Sequence, residues 1–194
     1  ILDLKGISKK VYHDIIIDHH NTIHIVRRHG PDKTTFYHCS QDGGRTWTHS
    51  VVCEDEPEGS FIETLSEGTV IVTEGHGNVY RLENGKWIHE GQQIPCEARE
   101  YPELSVDNQD NVYSIANGFK YNIRKDGKWG EPRQLFGLTN TKIGYVESAG
   151  ADDFTFVVWE EGNECFIDES SSIKPPPVKI FIGKLTVDGT VTGF

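Results

Sequence analysis

A turn that ends in tryptophan recurs along the chain at a nearly constant spacing. The segments SQDGGRTW, RLENGKW and IRKDGKW end at Trp47, Trp87 and Trp129, which lie 40 and 42 residues apart. A short run rich in β-branched or aromatic residues precedes each turn, at 23–26, 69–72 and 111–115. A repeat of this length limits the fold to architectures in which similar units pack side by side, because one unit cannot bury both of its faces.

Each unit is predicted to hold four short strands, since strand, turn, strand, loop, strand, tight turn and strand fit within about 40–45 residues. A looser fourth copy spans DFTFVVW and KIFIGKLTVDGTV, with Val191 in the tryptophan position. No stretch shows capped helical periodicity. We therefore predict an all-β chain of the β-propeller class with four recognisable four-stranded blades, either complete or a segment of a larger propeller. The predicted single domain covers 1–194, with units at about 10–53, 58–94, 98–137 and 142–194.

The tips between the first two strands of each unit are also predicted from their residues. These segments are polar or rich in glycine, which suits tight hairpins. They are DHHNTIH at 18–24, SEGTV at 66–70, DNQDNVY at 107–113 and AGADDF at 149–154.

The charge of the chain narrows the classes of partner. The net charge is −11 and the isoelectric point about 5.2. An acidic surface repels phosphate, so the sequence argues against nucleic-acid binding. No apolar run approaches the roughly 20 residues that a membrane-spanning helix needs, so no membrane span is expected.

The two ends of the sequence lead to a further expectation. The chain has no Met and begins ILDL, so it is expected to be a processed or excised piece of a longer protein. Residues 1–4 are predicted to form an outer strand of a preceding blade, and residues 190–194 the outer strand of the fourth. In such a piece, uncovered strand edges and blade faces favour self-association.

One of the tryptophan turns resembles the Asp-box, the bacterial neuraminidase repeat of sialidases and related propellers. The pattern Ser-x-Asp-x-Gly-x-Thr-Trp matches at Ser40, Asp42, Gly44, Thr46 and Trp47. In that family the turn joins the third and fourth strands, on the face away from the active site, and has a structural role. Its chemistry agrees: the aspartate accepts backbone hydrogen bonds, the glycine adopts positive φ and the tryptophan packs between sheets. The resemblance implies a secreted or cell-surface protein.

The same resemblance implies a catalytic set that the chain lacks in part. Sialidases use three arginines, a Tyr–Glu nucleophile and an acid/base Asp, and their first arginine sits in a Phe-Arg-Ile-Pro segment. That segment is absent here. Arg45, Arg81 and Arg124 fall near the tryptophan turns, which is the wrong face for a substrate clamp. We therefore expect a non-catalytic domain that binds a glycan or a protein partner, the alternative being part of a sialidase or other glycoside hydrolase.

Binding residues are expected in the loops between strands two and three and between blades, because loops on a rigid scaffold commonly carry recognition. Five residues are assigned there as ligand-binding candidates: Arg28, His76, Arg99, Tyr101 and Glu160. The arginines suit a carboxylate and Tyr101 suits a sugar ring. The alternative for the arginines is solvation or pairing with acidic residues. Trp159 either stacks on a sugar or lies in the core.

The cysteines and histidines give weaker indications. The chain has four cysteines without metal-ligand spacing, so they are predicted to be free thiols. The alternative is a disulfide between Cys39 and Cys53, because both flank one predicted hairpin. Three histidines, at 19, 20 and 24, lie close in sequence, but no metal site and no cofactor is predicted.

Overall fold

The structure is a computed structural model that describes residues 13–29, 33–54, 59–96, 102–116, 120–135, 143–161 and 179–193, without the side chains of residues 29, 143–145, 160, 161 and 179. Across these ranges the chain forms four antiparallel sheets and no helix. The predicted all-β fold with four four-stranded blades is therefore confirmed. The chain divides into two compact units, Ile1–Leu104 (unit 1) and Ser105–Phe194 (unit 2).

The first two sheets each follow the chain order, so every neighbouring pair of strands is a hairpin. The first sheet contains His13–Ile17 (β1), Ile23–His29 (β2), Thr34–Ser40 (β3) and Thr48–Cys53 (β4). The second sheet contains Ser60–Thr64 (β5), Val70–Glu74 (β6), Asn78–Glu83 (β7) and Lys86–Gln92 (β8).

The third and fourth sheets repeat this meander, with one interruption in the outer strand of the third. The third sheet contains Pro102–Val106 (β9), Val112–Ala116 (β10), Lys120–Lys125 (β11), Lys128–Trp129 (β12) and Arg133–Gln134 (β13). The last two of these both pair with β11. The fourth sheet contains Ile143–Gly150 (β14), Phe154–Glu161 (β15), Lys179–Thr186 (β16) and Val191–Gly193 (β17).

The hairpins between first and second strands lie where the polar tips predict them. In three sheets the turn is closed by the same backbone hydrogen bond, from the amide of one residue to the carbonyl four residues later. These bonds are Asp18 N to Thr22 O, Leu65 N to Thr69 O and Asp107 N to Asn111 O. The fourth turn is one residue shorter, with Ala151 N bonded to Phe154 O. A tight turn at the same place in all four sheets, identical in three of them, confirms that the chain repeats one kind of four-stranded sheet.

Each unit has its own apolar core, formed where one sheet packs face to face on the next. In unit 1, Val26 and Tyr37 of the first sheet pack with Ile62, Val72 and Tyr80 of the second. Strand alternation places every second residue of each strand on this shared face. The opposite face of each sheet therefore points away from this core.

The core of unit 2 answers an open question from the sequence. Tyr113 and Ile115 of the third sheet pack with Val157, Trp159 and Leu185 of the fourth. Trp159 is buried, and its ring stacks on that of Phe181 at a centroid distance of 5.4 Å. Trp159 is therefore a core residue and not a sugar-stacking platform.

The repeated tryptophans occupy related places at the start of the outer strands. Trp87 pairs with Leu82, and Trp129 pairs with Arg124. The indole of Trp87 crosses to the first sheet, where Nε1 donates to Ser50 Oγ at 2.9 Å and the ring packs edge-on to Tyr37. Trp47, Trp87 and Trp129 each keep only a minor part of their surface exposed, in agreement with the expectation that these side chains pack between sheets.

The alternative disulfide between Cys39 and Cys53 does not form. In the β3–β4 hairpin Cys39 pairs with Thr48, while Cys53 pairs with Thr35. The two cysteines thus lie about four residues apart along the strands, or roughly 13 Å, well beyond the Cα separation of about 7 Å that a disulfide can bridge. Both remain free thiols. Within the described ranges, no helix has the length and apolar character to cross a membrane.

Candidate functional site

A row of buried polar side chains crosses one end of unit 1, where the β2–β3 and β6–β7 hairpins lie; we call this the loop end. Arg28 and Thr35 pair across β2 and β3, and Ser60 and Glu74 pair across β5 and β6. All four are buried, with Thr35 and Glu74 fully inaccessible. The hydroxyls of Thr35 and Ser60 meet between the two sheets at 3.4 Å. The apolar core of unit 1 thus gives way to hydrogen-bonding groups at this end.

The buried carboxylate of Glu74 holds the β6–β7 hairpin. Its Oε2 accepts from the backbone amide of His76 at 3.1 Å, and its Oε1 accepts from the backbone amide of Asn78 at 3.0 Å and from the side-chain amide of Asn78. Its carbonyl also accepts from the amide of Gly77 at 2.8 Å. A carboxylate with several charge-assisted hydrogen bonds to one turn fixes that turn strongly.

Contacts from the following segment hold the tip of the same hairpin. Gly77 has φ of 82°, and a Cβ there would lie 1.9 Å from the carbonyl oxygen of Ile94, so only glycine fits. The carbonyl of Gly77 accepts from Gln93 N, and that of His76 accepts from Gln92 Nε2, both at 2.8 Å. The backbone of His76 is therefore fixed while its side chain is exposed.

The five predicted ligand-binding residues have different outcomes. His76 and Arg28 both lie at the loop end, the first exposed and the second buried. Arg99 and Tyr101 lie outside the described residues. Glu160 lies on β15 opposite Ile180, and its side chain is outside the described set.

The burial of Arg28 corrects one part of the sequence prediction. Arg28 is predicted in a loop between strands, but β2 continues through His29, with Arg27 paired to Phe36 and Arg28 to Thr35. Strand alternation then turns Arg28 towards the inside, while Arg27 lies on the other face with its guanidinium 5.8 Å from the centre of the Phe36 ring. Two charged residues at the end of an apolar strand give no sequence signal that separates these two directions.

The turn at residues 40–47 lies at the opposite end of the first sheet. Asp42 Oδ1 accepts from the amides of Arg45 and Thr46 and from Ser40 Oγ, and Oδ2 accepts from Thr46 Oγ1 at 2.6 Å. Hydrogen bonds from the Thr46 side chain and backbone lower the pKa of Asp42 to about 2. Trp47 Nε1 donates to Gly44 O at 3.0 Å and closes the turn. An ionised carboxylate bonded on both oxygens is suited to holding a turn and not to donating a proton.

Sequence reasoning missed a buried chain of polar groups at that same end. His24 Nε2 lies 3.2 Å from Asp18 Oδ2, and His24 Nδ1 lies 2.7 Å from Tyr37 Oη. Burial raises the pKa of Tyr37, so its hydroxyl stays protonated. These two contacts provide hydrogen-bond partners for the buried side chains of Asp18, His24 and Tyr37, and they use both ring nitrogens of His24. Its only sequence signal was the polar alternation in DHHNTIH.

A carboxylate pair on the first strands of the first two sheets was also missed. Asp14 Oδ2 accepts from the amide of Ile62 at 3.0 Å and so bridges β1 and β5. Burial, and then the negative charge of Asp14, raise the pKa of the nearby Glu63 to about 7. At neutral pH Glu63 is therefore partly protonated and can give or take a proton. Across the described residues, no group of three or more histidine, cysteine or acidic side chains is placed to hold a metal ion.

Comparison with known proteins supports the predicted fold but does not assign the chain to a family. No protein-family model matches the sequence, and neither does any curated protein. The structure is similar to virginiamycin B lyase from Staphylococcus aureus, with a TM-score of 0.51 and 12% identity over 95% of this chain and 73% of the lyase. A catalytically inactive variant of that lyase with quinupristin gives a TM-score of 0.52 and 12% identity over 100% and 72%. YCF48 from Cyanidioschyzon merolae gives 0.46 and 12% over 88% and 69%.

At these identities the likeness to the lyase concerns the fold alone, and it assigns the chain to the β-propeller class. None of these comparisons supports an Asp-box or a sialidase relationship. That resemblance therefore depends on residues 40–47 and on the degenerate later copies of the turn.

Proposed function

We propose that the chain is a non-catalytic, sialidase-like propeller domain that binds a glycan or a protein partner through the loop end of unit 1. The observation that carries the proposal is the β6–β7 hairpin, where a fully buried carboxylate fixes the backbone and leaves the His76 side chain exposed. A side chain held on a rigid tip loses little conformational entropy on binding, which favours recognition. Imidazole both donates and accepts hydrogen bonds, so it suits sugar hydroxyls and peptide groups alike.

The chemistry of the arginines supports binding over sialidase catalysis. Arg81 is paired with Glu90 at 2.7 Å and with Glu83 at 3.2 Å, and Arg28 is buried beside Thr35. Three convergent exposed guanidinium groups would be needed to clamp a sialic-acid carboxylate. We therefore expect no release of sialic acid from a fluorogenic sialoside above a buffer blank. Turnover that disappears in Arg28→Ala or Arg99→Ala would contradict this.

The binding proposal is tested by screening the purified chain on a glycan array and on a peptide array. For any ligand found, His76→Ala is expected to weaken binding by about 10-fold, the effect of losing one well-placed polar contact. His20→Ala is the matched control, because His20 is an exposed histidine on a hairpin tip at the other end of unit 1. Equal losses in the two variants would show that the loop end has no special part.

A second candidate function, glycoside hydrolysis, is favoured by the pair of Asp14 and Glu63. Glycosidases commonly use two carboxyl groups, one of which has a raised pKa and acts as general acid. A panel of fluorogenic glycosides tests this candidate at pH values around 7. Activity that is lost in Glu63→Gln, but kept in Glu131→Gln on the surface of unit 2, would favour the hydrolase over the binding domain.

A further inference from the structure

The large apolar side chains that are most exposed lie mainly on two sheet faces. Among the described residues, seven such side chains are at least 40% exposed, and six of them lie on the first and fourth sheets. On the first sheet they are Ile15, Ile17 and Val51, and on the fourth sheet they are Phe156, Ile180 and Ile182. Contiguous exposed apolar patches on a soluble protein commonly mark contact surfaces.

The exposed residues of the first sheet belong to the face that points away from the core of unit 1; we call it the leading face. Cross-strand pairing places Ile15, Ile25, His38 and His49 in one row of this face. The reverse face, which carries Val26 and Tyr37, is covered by the second sheet. One side of the same sheet is thus packed and the other is open.

The open face of the fourth sheet, the trailing face, has complementary features. Cross-strand pairing places Glu147, Val158 and Ile182 in one row. The reverse face, with Val157 and Trp159, packs on the third sheet. Glu147 is exposed and forms no ion pair with any described residue. The trailing face thus combines apolar side chains with an exposed carboxylate.

The repeat shows how these two faces would fit. Asp18 in the first sheet and Leu65 in the second sheet occupy the same position of the hairpin turn. By this alignment, Ile15 and Ile25 correspond to Ile62 and Val72. The second sheet packs on the first through Ile62 and Val72. The leading face is therefore the kind of surface that a sheet presents to the sheet before it.

The trailing face corresponds to the other side of the same packing. Val158 pairs with Ile182 as Val26 pairs with Tyr37, the pair that the first sheet presents to the second. The leading and trailing faces are thus the two halves of the sheet-on-sheet packing that builds each unit.

We propose that the chain self-associates head to tail, with the leading face of one copy docked on the trailing face of a second copy. Each contact joins two different surfaces, so the assembly grows beyond a dimer or closes into a ring of copies. The pairing reproduces the packing within each unit and covers the six exposed apolar side chains.

Sedimentation velocity between about 1 and 100 µM tests the proposal. The unmodified chain is expected to form species larger than a monomer as concentration rises. Ile15→Asp on the leading face and Ile182→Asp on the trailing face should each raise the concentration of half-association by roughly 10- to 100-fold, the effect of losing a buried isoleucine. Ile88→Asp, an exposed apolar position on neither face, should leave association unchanged.

A mixture of the two variants gives the sharpest result. Each variant keeps one intact face, so an equimolar mixture is expected to form heterodimers with the affinity of the unmodified contact and nothing larger. Formation of the heterodimer also shows that both variants are folded. A monomer for the unmodified chain at about 100 µM, or an effect of Ile15→Asp without any effect of Ile182→Asp, would overturn the head-to-tail contact.

Discussion

Asp18 in unit 1 and Asp107 in unit 2 build the same hairpin turn and complete it in different ways. In both, Oδ1 accepts from the backbone amides two and four residues later, and the third residue after the aspartate has positive φ. The donors are His20 and Thr22 in unit 1, and Gln109 and Asn111 in unit 2; the positive-φ residues are Asn21 and Asp110. Asparagine and aspartate tolerate this left-handed conformation better than other side chains.

The two turns differ at the second carboxylate oxygen. Asp107 Oδ2 accepts directly from Asn111 Nδ2 at 2.8 Å and from Tyr113 Oη at 2.9 Å. Asp18 Oδ2 has the longer contact with His24, which in turn meets Tyr37 across the sheet. The backbone hydrogen bonds of the turn thus follow from the aspartate and from the residue with positive φ. The bonds to the second carboxylate oxygen depend on which side chain lies six residues later, His24 or Tyr113.

The largest expected effect is that of Asp107→Ala. The change removes four hydrogen bonds and leaves the Tyr113 hydroxyl, which lies inside unit 2, without an acceptor. We expect the free energy of unfolding to fall by about 3–4 kcal/mol, as for other losses of a buried hydrogen-bond network. Chemical denaturation followed by fluorescence measures this. Gln109→Ala, at an exposed position of the same turn, should change it by less than about 0.5 kcal/mol.

Asp18→Ala is expected to have a smaller effect, about 2 kcal/mol, because His24 keeps its contact with Tyr37 when the carboxylate is removed. The loss of unfolding free energy in Asp18→Ala should also depend on pH. Burial opposes ionisation of Asp18, but hydrogen bonds from the Thr22 amide and from His24 outweigh it and lower the pKa. A lowered carboxyl pKa contributes stability above the unfolded-state pKa, and that contribution is lost as pH falls through the folded-state pKa.

Denaturation at a series of pH values checks this behaviour. The difference between the unmodified chain and Asp18→Ala should shrink as the pH falls below about 4, the pKa of aspartate in an unfolded chain. If Asp18→Ala lowers the free energy of unfolding as much as Asp107→Ala or more, the contact between Asp18 and His24 stabilises the chain more than its length indicates.

Some features of the structure could be predicted from the sequence and others could not. The tryptophan spacing and the polar tips predict the four sheets and their hairpins, because a turn is decided by residues that are neighbours in the chain. The partners of His24 and Glu63 are not predictable in the same way, since Tyr37 and Asp14 reach them from other strands. Arg28 lies at the end of the unit where the loop between strands two and three was predicted. Its burial follows from the continuation of β2 through His29, which no local sequence pattern marks.

A pH effect of opposite sign is expected from Glu63, which has no counterpart at the Asp107 turn. Its pKa is raised to about 7, so the folded chain binds this proton more tightly than the unfolded chain. The contribution of Glu63 is therefore most favourable below about pH 4.5 and declines as pH rises towards 7. Glu63→Gln should remove this decline and stabilise the chain at pH 8 by roughly 1–2 kcal/mol, since the half-buried site is partly screened by water.

Glu131→Gln provides the control, because Glu131 is an exposed carboxylate in unit 2. It should leave the pH dependence of unfolding unchanged. A decline that persists between pH 5 and 7 in Glu63→Gln would mean that another group in the chain titrates in that range and that Glu63 ionises freely.

The smallest loss of stability is expected from Asp42→Ala. This variant tests whether the number of hydrogen bonds or their burial decides the loss. Asp42 accepts four hydrogen bonds, as many as Asp107, but its turn lies at the surface. Water replaces the lost partners at an exposed turn, whereas nothing replaces them around Asp107. The unfolding midpoint should therefore fall by clearly less than in Asp107→Ala, and binding at the loop end should not change. Equal losses in the two variants would show that the count of hydrogen bonds, and not their burial, decides how strongly an aspartate holds a turn in this chain.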